Sequence, residues 1–164
     1  RLGALGIPFT LYNHAPAATV EEMLGFSAEW EGVKCKNLFL KAKKKAHADD
    51  TMMWLLVAAH DTPTDLKAVG AKLGYGKITV RFGNEEALVS NLGIKQGSVS
   101  PFCVAADTAL RVNVAIDKAI LDDPSGKANF HPGTNEATVT IAVADLIKFI
   151  ESTGHRYTVL DFSA

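Results

Sequence analysis

The chain's 164 residues, 48% apolar and 21% charged, suffice for one hydrophobic core and exclude a disordered polymer. Its 17 basic residues against 18 acidic ones give a net charge of −1, which excludes a sequence-independent grip on DNA but leaves room for a local basic patch. No apolar run reaches membrane-spanning length, so no membrane partner is expected. Cys35 and Cys103 stand far apart, outside any CxxC spacing, and no Asn-x-Ser/Thr sequon occurs. Both features favour a reducing, cytoplasmic setting, although two cysteines can in principle pair. The sequence opens on Arg1 without a signal-peptide pattern, and a start other than Met points to residues missing upstream.

The first strand is predicted at Phe9–Tyr12, ended by Asn13-His14 and Pro16. Thr19-Val20-Glu21-Glu22 is a capping box, in which hydroxyl and carboxylate each satisfy a free backbone donor, and it predicts a short helix to about Leu24. Lys34 to Lys45 then holds six lysines in twelve residues, with no acid between Glu31 and Asp49. Inside it, Leu38-Phe39-Leu40 reads as a strand buried on both faces. Lysines flanking such a strand suit an anionic ligand such as a phosphate; they equally suit a strand end blunted for solubility. Met52–Ala58 is a second buried strand, pairing with the first as a hairpin.

Thr62-Pro63-Thr64-Asp65 predicts a helix start with Pro63 at its first position, Leu66, Val69 and Leu73 on one face, and Gly74 as its stop. Ile78–Phe82 is a strand; Asn84 caps the next helix and Gly93 closes it. After the loop Gly97-Ser98-Val99-Ser100-Pro101, Val112, Val114 and Ile116 alternate as a half-buried strand. Asp122 to Lys127 is turn material, followed by Asn129-Phe130-His131-Pro132. Thr138–Ile141 is a strand, Val143, Leu146, Ile147 and Ile150 form a helical stripe ending at Gly154, and Tyr157–Leu160 is the last strand. The order is not a regular βαβ rhythm, so a single domain with a mixed sheet is expected.

Several motifs fail. Gly70 to Ile78 has the wrong spacing for a phosphate loop and lacks its hydroxyl, and Gly74-Tyr75-Gly76 lacks a third glycine. The five histidines show no HxxxH or HExxH spacing, so neither a metal nor another cofactor is expected. Ser98 is not in a Gly-x-Ser-x-Gly elbow. Two loops keep open readings. Gly97 and Ser98, held by Pro101, can turn backbone N–H groups toward one point as an oxyanion nest, or form an ordinary turn. His131, made extended by Pro132, can project from a strand end toward a polar ligand, or lie on a surface loop.

Lys36-Asn37-Leu38-Phe39-Leu40-Lys41, Gly97-Ser98-Val99-Ser100-Pro101-Phe102, and Asn129-Phe130-His131-Pro132 with Asn135 and Ala137-Thr138 occur in this order. Together they resemble the YbaK/ProRS-type aminoacyl-tRNA editing domain family, and within it the ProX (PrdX) group of trans-editing deacylases. Val20-Glu21-Glu22, Asp65-Leu66-Lys67, Leu92-Gly93-Ile94 and Asp161-Phe162 add to the likeness, which spans nearly the whole chain. The resemblance implies a mixed α/β fold, a curved barrel-like sheet surrounded by helices. It implies hydrolysis of the ester joining a wrong amino acid to the terminal adenosine of a tRNA, with alanine on proline tRNA the ProX-like substrate. Lys36 would face the terminal phosphate as a point charge, with Asn37 its companion. The Gly97 to Pro101 loop, with Ser98 and Ser100, would hold the ester carbonyl, and His131 would position the aminoacyl group. Val20, Met23, Ser100 and Pro101 would border the amino-acid pocket, and Lys34, Lys41, Lys43 and Lys77 would meet the acceptor end. No nucleophile is needed, because an aminoacyl ester is already activated and a ribose hydroxyl of the substrate assists.

Two departures stand out: Ala42-Lys43-Lys44-Lys45 follows where an acid is frequent, and Cys35 replaces a hydroxyl residue before the key lysine. The implied partner is the acceptor end of aminoacylated tRNA, with a prolyl-tRNA synthetase or multi-synthetase complex as a further candidate. The alternatives are a catalytically silent tRNA-binding or synthetase-complex domain, editing of cysteinyl or seryl tRNA, and a hydrolase acting on another small ester or phosphate.

Overall fold

The computed structural model describes residues 10–13, 32–43, 51–75, 80–94, 99–130 and 137–162. At its centre, β2 (Val33–Lys43) and β3 (Thr51–Ala59) pair antiparallel, from Cys35 opposite Ala59 to Lys43 opposite Thr51. This is the hairpin expected from the two apolar runs. Leu55, Leu56, Val57 and Ala58 of β3 are all buried. Their strand is paired on both edges, since β5 (Val112–Asp117) runs parallel along the far side. Beyond β5 lies β8 (Tyr157–Leu160), also parallel.

The sheet is mixed and curls into a half-barrel with helices around it. On one face Phe39, Leu55, Val57, Val114 and Ile116 meet Leu88 and Leu92 of α2 (Glu85–Leu92) and the 3₁₀ segment Pro101–Ala106. The amphipathic α4 (Val143–Ser152) completes that cover with Leu146, Phe149 and Ile150. On the other face Leu40, Leu56, Ala58 and Ala115 pack with Val69 of α1 (Leu66–Lys72) and Val80 of β4 (Val80–Phe82). This second layer corrects the reading of β5. Alternation predicts a half-buried strand, but α1 covers its other face too, so Ala115 and Asp117 are buried with the valines.

Helix ends follow local chemistry where that chemistry is undisturbed. Asn84 Oδ1 accepts Ala87 N at 2.8 Å, and Gly93 closes α2 with φ 64°. At α1 the expectation fails. The helix begins at Leu66 with Asp65 as N-cap, and Pro63 lies in the link before it, just after a turn in which Thr62 N donates to Ala59 O (3.0 Å). A five-residue helix, α3 (Lys118–Asp122), also stands where the pattern gave none. Asp122, read as turn, is its last residue.

The feature that matters for function is the outer edge of β2. At Val33 and Lys34 that edge pairs in parallel with β6 (Lys127–Phe130), which leads on to β7 (Ala137–Ala142) and β1 (Thr10–Asn13). At Leu40 to Ala42 it pairs instead, antiparallel, with β4. Two glycines permit these approaches: a Cβ on Gly32, whose φ is +88°, would lie 2.5 Å from Lys127 O, and one on Gly83 would enter the Phe39 ring. Between the two pairings, among the described residues, β2 has no strand partner on this side. The sheet is split there, over residues 35–39.

Candidate functional site

Lys36 and Asn37 lie in this split. The register of β2 runs without interruption, so the two side chains leave on opposite faces. Lys36 stands opposite Ala58, on the face of Leu38 and Leu40. Its Nζ donates to the Thr62 carbonyl at 2.6 Å. Burial holds the ammonium below the ordinary lysine pKa, and the carboxylates of Asp117 and Asp61 pull it part of the way back.

Asn37 stands opposite Val57, on the face of Cys35 and Phe39. Gly83 N donates to Phe39 O and His60 N to Lys34 O, each at 2.8 Å. These bonds fix the phase of the strand: odd residues turn their backbone groups to the split and even ones to β3. The peptide groups of Asn37 therefore face the split. Its Oδ1 is a buried acceptor with no hydrogen-bond partner among the described residues, and such an atom in a native fold calls for an explanation.

The second sequence block reaches the same face. Val99, Cys103 and Val104 share a cluster with Cys35 and Phe39. Ser100 is fully buried with its Oγ 3.7 Å from Cys103 Sγ, and Pro101 opens the 3₁₀ segment. The third block is tied to the first. Asn129, fully buried, donates from Nδ2 to Val33 O at 3.2 Å and accepts from Thr140 Oγ1, joining β6 to β2 and β7. Phe102 sets its ring edge-on to Phe130 at 5.9 Å and to Phe149 at 5.3 Å, linking the second block to the third. Thus the described residues of all three blocks come together at β2 and the core cluster beneath its split, although they are spread from residue 36 to residue 130. Gly97, Ser98, His131, Val20, Met23 and Lys77 fall outside the described residues.

Of the basic residues, Lys34 and Lys41 are part-exposed on β2, and Lys43 is the strand's last residue, its side chain outside the described set. Lys41 lies directly opposite Arg81 on β4. No carboxylate among the described residues is within ion-pair distance of either. Facing like charges repel, and Arg81 gave no sequence signal of its own.

Three further residues were also missed. Thr62 was assigned to a helix start, whereas its hydroxyl donates to Asp117 Oδ2 at 2.6 Å. Asp117 is buried at the end of β5, and a carboxylate directly after an apolar strand was the available signal. Asn129 was quoted as part of a motif without a role.

Neither cysteine is placed to attack: both thiols are free and buried, and burial pushes both pKa values up. Among the described residues no group of three or more His, Cys, Asp or Glu could hold a metal ion. No helix among them is long and apolar enough to cross a membrane.

The family model described as "Aminoacyl-tRNA editing domain" matches residues 14–149. Mouse prolyl-tRNA synthetase associated domain-containing protein 1 is 36% identical over 162 residues, covering 99% of this chain and 92% of that protein. The prolyl-tRNA editing protein ProX of Acetoanaerobium sticklandii is 34% identical over 162 residues, covering 98% and 93%. The crystal structure of a candidate trans-editing enzyme for prolyl tRNA synthetase superposes with a TM-score of 0.62 at 16% identity, covering 93% of this chain and 85% of that one. That likeness concerns the fold.

Proposed function

Because the chain belongs to the aminoacyl-tRNA editing domain family, we propose that it is a deacylase that removes a wrongly attached amino acid, alanine on proline tRNA, by hydrolysis. On this reading residues 1–164 act as one editing domain. Water adds its hydroxyl to the ester carbonyl carbon, the bond to the ribose oxygen breaks, and that oxygen takes the proton, leaving free amino acid and intact tRNA.

The observation that carries the reading is the meeting of three separated sequence blocks at one break in the sheet. Asn129 bonds to Val33, Phe102 packs on Phe130, and Lys36 and Asn37 lie between the two pairings of β2. Lys36 meets the phosphate of the terminal nucleotide. Its ammonium has three donors, of which Thr62 O takes one. The orphan acceptor of Asn37 takes a donor from the substrate, a hydroxyl or the α-amino group. Backbone N–H groups of the Gly97 to Pro101 loop, including Ser98 and Ser100, stabilise the developing oxyanion, and His131 positions the aminoacyl group. Val20, Met23 and Pro101 border the pocket. Lys34, Lys41, Lys43 and Lys77 hold the acceptor end, and the Lys41–Arg81 pair is relieved by an RNA phosphate. A prolyl-tRNA synthetase, named in several relatives, is the proposed protein partner.

Lys36→Ala tests this reading. Hydrolysis of alanyl proline tRNA is expected to fall to the uncatalysed rate while the circular dichroism spectrum stays native. Full activity in that variant would remove Lys36 from the mechanism.

A further inference from the structure

Lys36 is not held by its own strand. The β2–β3 pairing ends where His60 N reaches Lys34 O, and the chain then turns so that the Thr62 carbonyl meets the Lys36 ammonium. What fixes this turn is a carboxylate from a third strand. Asp117 Oδ2 accepts Ala59 N at 3.1 Å and Thr62 Oγ1 at 2.6 Å, one from each side of the turn. Its other oxygen accepts Ala119 N at 3.0 Å, the cap of α3. The residue is 1% exposed, so its charge is removed from water and met by three donors.

We propose that Asp117 and Thr62 are positioning residues, which act through the turn after β3 to hold the Lys36 ammonium in place on the α1 face of the sheet. The proposal rests on the reading of Lys36 as the group that meets the substrate phosphate. Capping alone does not account for Asp117. A cap uses one oxygen, and Asn or Ser serves about as well as Asp. Here the second oxygen crosses to a turn 55 to 58 residues away in sequence. The two carboxylates that act on Lys36 are Asp117 and Asp61. Of these Asp117 is buried and Asp61 exposed, and a buried charge is screened less by solvent. Among the described residues the arrangement engages one of the three Lys36 donors, and it draws the ammonium toward the Thr62 carbonyl.

The test uses Asp117→Asn, Thr62→Val and the conservative Thr62→Ser, in protein carrying ¹³C-labelled lysine. The Lys36 side-chain carbon resonance is followed against pH, and kcat and KM are measured separately. Both Asp117→Asn and Thr62→Val are expected to move the Lys36 titration to lower pH. The first removes an attracting charge and the second loosens a hydrogen bond to the charged form. Thr62→Val is expected to lower kcat/KM by up to about 10²-fold, the cost of a displacement near 1 Å, and Thr62→Ser to restore it. If Asp117→Asn does not fold, Thr62→Val carries the test, since Thr62 lies in a part-exposed turn. An unchanged Lys36 titration in folded Thr62→Val would overturn the proposal. A shifted titration in a protein whose parent hydrolyses no aminoacyl-tRNA would uphold the positioning and reject the deacylase reading instead.

Discussion

Asn37 is where the fold and the proposed chemistry disagree about what they need. A buried acceptor without a donor costs roughly 1–3 kcal/mol, and Oδ1 of Asn37 is such an atom. A site that must receive a substrate donor retains this cost, whereas a purely structural strand would have replaced the residue. Asn37→Val, β-branched and suited to a strand, is therefore expected to leave the thermal unfolding midpoint at or above the parent value while deacylation drops sharply. A large loss of stability in a calorimetric scan would mean that the side chain is satisfied and structural. The Lys36-Asn37 dipeptide was legible in the sequence, but the opposite directions of its side chains become informative only with the register of β2. The partner of Lys36 was not legible at all, because the carbonyl of Thr62 carries no mark of residue type.

The elements are joined by polar ties whose members are far apart in the chain, and this is where sequence patterns fell short. Thr62-Pro63 looks like the start of a helix, yet the Thr62 hydroxyl is engaged by Asp117 and the helix waits until Leu66. α3 is too short to present a period. The caps of α2, the stripe of α4 and the hairpin of β2 with β3, by contrast, are set by neighbours in sequence and were read correctly. A second tie joins the end of α4 to the start of β5. Buried Asp107 accepts from Arg111 N (3.0 Å), Val112 N (2.7 Å) and the buried His155 Nε2 (3.0 Å). Thr153 Oγ1 lies 2.6 Å from Ile150 O and 2.7 Å from His155 Nδ1, so it orients the ring for its bond to Asp107. Burial pushes the Asp107 carboxyl up, but the bonds from His155, Val112 and Arg111 outweigh it and hold the pKa below the ordinary value. A depressed carboxylate contributes stability that is present above its unfolded pKa and is lost as pH falls through its folded one. Asp107→Asn, which turns one accepting oxygen into a donor facing other donors, is expected to cost about 2 kcal/mol at pH 7. Urea unfolding at pH 7 and below pH 4 checks this: the gap between variant and parent closes in acid, and a constant gap contradicts the account.

Taken whole, the molecule uses one long strand as the hinge of two pairings. β2 belongs to the β1-β7-β6 arm at its start and to the β4 ribbon near its end. The break between them leaves backbone groups of Asn37 unpaired by strands among the described residues. A mixed sheet was expected from the irregular order of elements. The break was not, because it depends on two strands, β4 and β6, that follow β2 by about forty and ninety residues. In the proposed editing site, specificity belongs to the whole pocket rather than to one residue: a small apolar site excludes larger side chains by clash and rejects smaller ones poorly. The central claim is selective hydrolysis, and it is tested most directly by charging proline tRNA separately with alanine, cysteine, serine and proline and following loss of each ester. The account predicts rapid loss of alanine with the prolyl ester spared. Survival of every ester at the uncatalysed rate, or equal loss of the prolyl one, would contradict it.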